Sequence, residues 1–391
     1  MHRPTSILER LSSGAVLIAA GHLFLELSNN FLPVAYPLFI KELGLSYAQI
    51  GTVAFVSILA GTLLQPLFGY ISDRFDSRVL MVLSLLWIGT IMALTGLARS
   101  YWLLLLVVAA GGLGSASFHP AAAALASAVT SRRRGASMSI FSVGGNAGAA
   151  LSPLLIGAAI LWMGLPGTVI LLPIMVAISL LLFQRISRFP ANSQLEASNN
   201  PGPGGGVQIG PPLALALVVL IASARSWFQA GLNTYLPEWL QTQGWAAEHA
   251  NILLSVLLIS VAVGSLTGGT LSDRIGRVPV VLLSFAVATP VIWFLLHTQG
   301  AVQVLCIVLA GIMIGATYPV TILMAQEAWP RAIGLASSLA IGFGWLPGGI
   351  GAWSVGVLAD RYSLTGALST LAVAPIFGLL AALIFMRRFR G

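Results

Sequence analysis

Apolar runs of bilayer length recur along the whole chain, each closed by a short polar break. They fall near residues 13–40, 47–71, 79–98, 102–129, 136–162, 166–185, 212–240, 247–271, 278–297, 301–325, 332–359 and 364–386. A helix needs about 20 residues to cross the hydrocarbon core, so the pattern predicts twelve transmembrane helices. Pro120 and Pro319 interrupt the fourth and tenth runs. Proline is tolerated inside membrane helices, so each run is read as one span. The longest break, 186–211, holds Asn199-Asn200-Pro201-Gly202-Pro203-Gly204-Gly205-Gly206, a flexible sequence with nothing to pack. The predicted fold is an all-α integral membrane protein of two six-helix halves. Residues 1–187 form the N-terminal bundle, 188–211 a cytoplasmic linker and 212–391 the C-terminal bundle.

Composition agrees with this pattern. Hydrophobic residues make up 57% of the 391 and charged residues 8%, against roughly 25% charged in soluble domains. No water-soluble fold covers that much apolar side chain. The net charge of +8 does not indicate nucleic acid, because the basic residues sit in short loops and not on one soluble face. With both termini cytoplasmic, fifteen of the 19 Lys and Arg residues lie on the inner side. Lys41, Arg99 and Arg361 lie outside and Arg225 lies within a span. That asymmetry sets the orientation. Basic residues before the first apolar run resemble a signal peptide, but the run is too long and no small-residue cleavage site ends it. It reads as an uncleaved first span. Cys306 is single, so no disulfide forms within one chain. No metal-binding spacing, phosphate-cradling loop or nucleophile motif is found. The chain is expected to be no enzyme, to need no cofactor or metal, and not to be driven by ATP.

The halves repeat each other. Gly69-Tyr70-Ile71-Ser72-Asp73-Arg74 recurs as Gly269-Thr270-Leu271-Ser272-Asp273-Arg274, 200 positions later. Phe118-His119-Pro120 recurs as Thr317-Tyr318-Pro319, Tyr36-Pro37 as Leu236-Pro237, and Arg134-Gly135 is echoed near 331–334. Corresponding marks in both halves indicate a duplicated six-helix unit.

Polar residues inside the spans carry the candidate chemistry. In span one His22, Glu26, Asn29 and Asn30 stand at i, i+4, i+7 and i+8, one face of a helix. An intramembrane carboxylate faces a bundle interior or a wet cavity and pairs with something. A structural hydrogen-bond seam between helices is the alternative, although such seams use neutral polar groups. Span seven carries Arg225, Gln229 and Asn233 at i, i+4 and i+8. With a 200-residue offset, Gln229 corresponds to Asn29 and Arg225 lies one residue from the counterpart of Glu26. Arg225 keeps its proton, so it is either one half of a static pair with Glu26 or a fixed anchor for an anion. Glu26 and His22 are the titratable members, and His119 on span four is a further candidate. Span five places small residues four apart, among them Gly144, Gly148 and Ser152 before Pro153, which lets helices approach closely. Gly342, Gly344, Gly348, Gly349 and Gly351 mirror it in span eleven. Trp227, Trp345 and Trp353 are candidates for lining a cavity, the first two with the better claim.

These residues also resemble known families. Gly69-x-x-x-Asp73-Arg74 with Arg78, repeated with Asp273, Arg274 and Arg277, resembles the major facilitator signature between spans two and three. Gly148-x-x-x-Ser152-Pro153 resembles the antiporter signature of span five, with Ser152 in place of glycine. Gly21-His22 with Glu26, Gln65-Pro66, Phe118-His119-Pro120 and Phe141-x-Val143-Gly144-Gly145-Asn146-x-Gly148 resemble the fosmidomycin resistance protein family. Glu26 stands where that family commonly has aspartate, and Ala121 where it often has a second acid. The resemblance implies a major facilitator fold and proton-driven export of a small molecule or drug from the bacterial inner membrane.

Within that expectation Glu26, His22 and His119 couple protons. Arg225, Asn29, Asn30, Gln229, Asn233, Asn146, Trp227 and Trp345 contact substrate. Asp73, Arg74, Arg78, Asp273, Arg274, Arg277, Gly148 and Pro153 serve gating. The partners are a small-molecule substrate, protons and the lipid bilayer, with no nucleic acid and a functional monomer. A proton-coupled importer of a small organic anion and a lipid translocator remain as alternatives.

Overall fold

The computed structural model describes residues 7–128, 134–186, 212–329, 339–340 and 344–389, with side chains except those of 7–13, 73, 127–128 and 134–139. Every regular element among the described residues is helical. The helices are α1 (Ile7–Asn29), α2 (Leu32–Leu43), α3 (Tyr47–Leu63), α4 (Gln65–Arg74), α5 (Ser77–Ala93), α6 (Tyr101–Ala128), α7 (Arg134–Met163) and α8 (Leu171–Ile186). They continue as α9 (Pro212–Thr242), α10 (Ala247–Ile275), α11 (Arg277–His297), α12 (Gly300–Ala328), α13 (Gly344–Arg361), α14 (Leu364–Ser369) and α15 (Val373–Phe389). Eleven stretches among the described residues are long and apolar enough to cross a membrane, each close to a predicted span. The remaining run, 332–359, is described mainly as α13. The linker 188–211, Arg132, Arg133 and the echo at 331–334 lie outside the described residues, as does the side chain of Asp73.

Large apolar side chains such as Leu106, Phe183, Leu266 and Phe377 are exposed. Water does not tolerate so many of them, whereas lipid does. Trp102 at the start of α6 and Trp162 at the end of α7 are also exposed. A hydrogen bond from the Gly96 amide to Thr168 Oγ1, 3.1 Å, ties the neighbouring turns together at that same end of the bundle. Exposed tryptophan there matches a membrane-interface belt.

The prolines at 120 and 319 leave α6 and α12 continuous. The breaks come elsewhere. Span one divides between Asn29 and Leu32, and span two divides at Leu64, where Pro66 occupies the first turn of α4. A side-chain amide donates to a carbonyl at each break, that of Glu26 also accepting from the Asn30 backbone amide at 3.1 Å. Asn30 Nδ2 donates to the Glu26 carbonyl (3.0 Å) and Gln65 Nε2 to the Gly61 carbonyl (2.8 Å). Freed carbonyls must be satisfied inside a bilayer, and such discontinuous helices border cavities in transporters.

The chain packs as two compact units, Met1–Ala35 with Ala60–Pro203, and Tyr36–Leu59 with Gly204–Gly391. In the first unit α7 lies directly on α1. A Cβ at Gly144 would overlap the Ala19 carbonyl, and one at Gly148 the Leu23 carbonyl. Ser152 Oγ donates to the Leu27 carbonyl at 2.6 Å. The four-residue spacing of small residues therefore meets the four-residue spacing of backbone carbonyls on α1. It also explains Ser152, whose hydroxyl bonds the carbonyl it approaches. Gly148→Leu should separate α1 from α7 and cost well over the ~1–3 kcal/mol of ordinary overpacking, because backbone is in the way. Gly61→Ala, whose Cβ would sit 3.7 Å from Ser115 Oγ, should be tolerated. Thermal melts of the two variants in detergent test this, and similar melting temperatures would contradict it.

In the second unit α9 stands against α13 in the same manner. Gly344 faces Ala222, Gly348 faces the Ser226 carbonyl, and Ser226 Oγ donates to the Gly344 carbonyl. The segment 36–59 belongs to this unit. Gly51 of α3 abuts the Tyr235 hydroxyl and the Ala352 carbonyl. The Asp360 carboxylate accepts from the amides of Tyr47 and Ala48 at 2.8 and 2.9 Å, capping donors at the start of α3 that have no helical partner.

Candidate functional site

The packing of α1 on α7 aims one face of α1 at α6 and α7. His22, Glu26 and Asn30 occupy that face. Glu26 Oε1 lies 3.5 Å from His22 Nε2 and 3.5 Å from His119 Nε2 of α6. Its other oxygen accepts from Asn30 Nδ2 at 2.7 Å. His22 Nδ1 donates to the Phe141 carbonyl of α7 at 2.9 Å, and its ring stacks on Phe141 with centroids 4.0 Å apart. Gly145 makes this possible, because a Cβ there would overlap the imidazole. The His22, Glu26 and His119 side chains are 12%, 17% and 29% exposed, so the group is enclosed without being sealed. Asn29 is half-buried, while Asn146 is exposed on α7.

The second unit builds a cluster of different chemistry on the same plan. Arg225 is 2% exposed and donates from Nη1 to Gln229 Oε1 at 2.5 Å. Its guanidinium lies 4.9 Å from the ring centroids of both Tyr318 and Trp345. Arg225 Nε and Asn233 Oδ1 are buried without a hydrogen-bond partner among the described residues. Trp227 is half-buried and lies against Gly351. Trp227 thus fills a packing position, whereas the tryptophan against Arg225 is Trp345.

The helix register corrects the 200-residue offset expected for spans one and seven. Gly144 and Gly148 face Ala19 and Leu23, and Gly344 and Gly348 face Ala222 and Ser226. Arg225 therefore takes the place of His22, Gln229 that of Glu26, and Asn233 that of Asn30. The break in span one absorbs the difference. Seven positions separate Asn30 from Pro37, but four separate Asn233 from Pro237. Tyr318 takes the place of His119, and Trp345 that of Gly145. Where glycine in one unit leaves room for an imidazole, tryptophan in the other stacks against a guanidinium. The sequence signal for Tyr318 is the Thr317-Tyr318-Pro319 echo of Phe118-His119-Pro120, which marks it as the counterpart of His119.

The absence of a metal-binding spacing needs a second correction. His22, Glu26 and His119 each present one ligand atom, and these atoms lie within 4.8 Å of one another. Sequence spacing misses the group because His119 arrives from α6.

The loop signatures hold together through partners that sequence did not single out. Asp76 caps α5 by accepting from the Arg78 amide at 2.9 Å, and Arg78 Nε donates to the same carboxylate at 2.9 and 3.0 Å. The Arg78 guanidinium holds the Asp76 carboxyl below its ordinary range, with burial opposing and the amide bond assisting. Arg74 lies over the Tyr70 ring at 4.2 Å. In the second unit Arg277 bridges Asp273, at 2.5 Å, and Glu327, at 3.1 Å. Arg274 is exposed, and Pro153 is buried in α7.

A bundle of membrane-length helices, one of them broken beside the enclosed Glu26 carboxylate and another carrying the buried Arg225, defines a multi-pass membrane transporter, not an enzyme. The chain belongs to the Major Facilitator Superfamily, whose family model matches residues 18–247 and 215–390. It is 29% identical over 375 residues to the fosmidomycin resistance protein of Escherichia coli (strain K12), covering 93% of this chain and 90% of that one. It is 27% identical to the MFS-type transporter YfnC of Bacillus subtilis (strain 168), over 94% and 92% of the two chains. Among solved structures, a bacterial homologue of the human lysosomal transporter Spinster, inward-facing and occupied, superposes with a TM-score of 0.80. That match covers 97% of this chain and 96% of the other at 16% identity.

Proposed function

We propose that the chain is a proton-coupled antiporter of the bacterial inner membrane that exports a small molecule by alternating access of its two six-helix halves. The observation that carries this reading is the Glu26 carboxylate, set between two imidazoles at 3.5 Å. In place of a permanent cation, it has neighbours that can give up or accept a proton. Glu26 takes and releases the transported proton, and His22 and His119 relay it. Arg225 anchors an anionic group of the substrate, with Gln229, Asn233 and Trp345 supplying hydrogen bonds and an aromatic wall. The bridges of Arg78 with Asp76 and of Arg277 with Asp273 and Glu327 form in one state and break in the other, with Arg74 beside them. Gly148 and Pro153 set how α7 slides on α1. Both termini are cytoplasmic and one chain suffices. The name of the Escherichia coli relative supports export of a drug-like compound.

The deciding experiment uses liposomes containing the purified protein and an internal pH dye. Fosmidomycin and a panel of small anions are added under an imposed pH gradient. A compound that drives proton flow opposite to its own movement establishes antiport. A second reading, symport of a small organic anion into the cell, is favoured by the unpartnered Arg225 Nε. It would show flow of proton and compound in the same direction. If no compound moves protons while the protein is folded, coupling through Glu26 is wrong.

A further inference from the structure

The separations in the first cluster are informative. A direct N–H···O bond closes to about 2.7–3.2 Å, yet both imidazole Nε2 atoms stand 3.5 Å from Glu26 Oε1. Two ligand atoms on one tetrahedral ion with bonds of about 2.0–2.1 Å are about 3.4 Å apart. The orientation fits as well. His22 Nδ1 faces the Phe141 carbonyl, which accepts only, so in the neutral ring Nδ1 carries the hydrogen and Nε2 presents a lone pair. That lone pair points at an oxygen of Glu26 that also offers only lone pairs when ionised. Something positive belongs between them. A carbonyl behind one imidazole and an amide, Asn30 Nδ2, behind the carboxylate are the outer contacts that fix metal ligands in place.

We propose that His22, Glu26 and His119 form a three-ligand site for a divalent transition metal ion of the zinc class. Two imidazoles and one carboxylate suit borderline ions better than Mg2+ or Ca2+, which prefer all-oxygen sets. Three protein ligands leave a fourth position for water, and the partial exposure of all three side chains gives that water access. The site goes beyond proton carriage and stands without it, since coordination needs only the geometry. An ion held there occupies the space where a proton would bind.

The test is direct metal binding to the purified full-length chain in detergent, without a polyhistidine tag. Co2+ serves as a visible probe, and Zn2+ and Mg2+ as competitors. The expected result is one Co2+ per chain with the visible absorption of a low-coordinate site, displaced by equimolar Zn2+ and not by Mg2+. His22→Gln and His119→Gln should each weaken binding at least tenfold while the melting profile shows a folded protein. The double variant His249→Gln/His297→Gln removes histidines outside the cluster and should bind as the parent does. Folded parent protein that takes up no Co2+ overturns the site. So does binding that survives His119→Gln, or binding lost in the His249→Gln/His297→Gln variant. Because this readout needs no substrate and no gradient, failure of the antiport reading leaves it intact, and the reverse also holds.

Discussion

Glu26→Gln should reduce substrate-driven proton movement to the level of empty liposomes while leaving the protein folded. The substitution keeps the side chain's length and shape, and its amide oxygen can still accept from Asn30 Nδ2, now 2.7 Å from the carboxylate. What it loses is the capacity to hold a proton. The bond from Asn30 weakens from charge-assisted to neutral, which costs about 1–2 kcal/mol. The imidazoles at 3.5 Å are too far to add a full hydrogen bond each. A modest fall in melting temperature with complete loss of coupling is therefore expected. Exchange of labelled for unlabelled substrate across the membrane, which needs no net proton movement, should persist in the variant. If proton movement survives, Glu26 is not the carrier. If exchange is lost as well, Glu26 is part of the substrate contact or of the packing.

The span pattern was legible because bilayer length imposes a coarse rule on every helix, and the duplicated Ser-Asp-Arg loops marked the two halves. The face of α1 was legible for the same reason, since His22, Glu26 and Asn30 obey helical spacing whatever surrounds them. Its partner was harder to read. His119 arrives from α6, while Gly144, Gly145 and Gly148 bring α7 onto α1 and seat the His22 ring, and glycine spacing does not say which helix fills the space. The register of α9 was misread because a constant offset assumes equal lengths. The break after Asn29 adds residues to span one that α9 lacks, and no hydropathy signal marks it. Asp76 was recoverable, since an aspartate just before an apolar helical run is an N-cap signal. Glu327 was not recoverable, because its partner Arg277 lies 50 positions away.

Arg225→Met should melt at the same or a higher temperature than the parent and yet lose affinity for an anionic substrate by more than tenfold in KM. Two effects oppose each other. The guanidinium gains from the Tyr318 and Trp345 rings, about 0.5–2 kcal/mol each, and from one hydrogen bond to Gln229. Against this stands a buried cation with no carboxylate contact and an unpartnered Nε among the described residues, a burden of several kcal/mol even after relaxation. Replacing such a charge with an apolar side chain of similar volume is often neutral or stabilising by about 1–4 kcal/mol, so the desolvation side is expected to win. A methionine keeps contact with both rings but offers nothing to an anion. Arg225→Lys separates charge from shape. It retains the charge and loses the planar fork, so it should recover part of the affinity and little of any preference for carboxylate or phosphonate groups that bind two donors at once. A large drop in melting temperature in Arg225→Met, with KM unchanged in the fraction that stays folded, would instead make Arg225 a pin between α9, α12 and α13. The anion would then have to be held elsewhere.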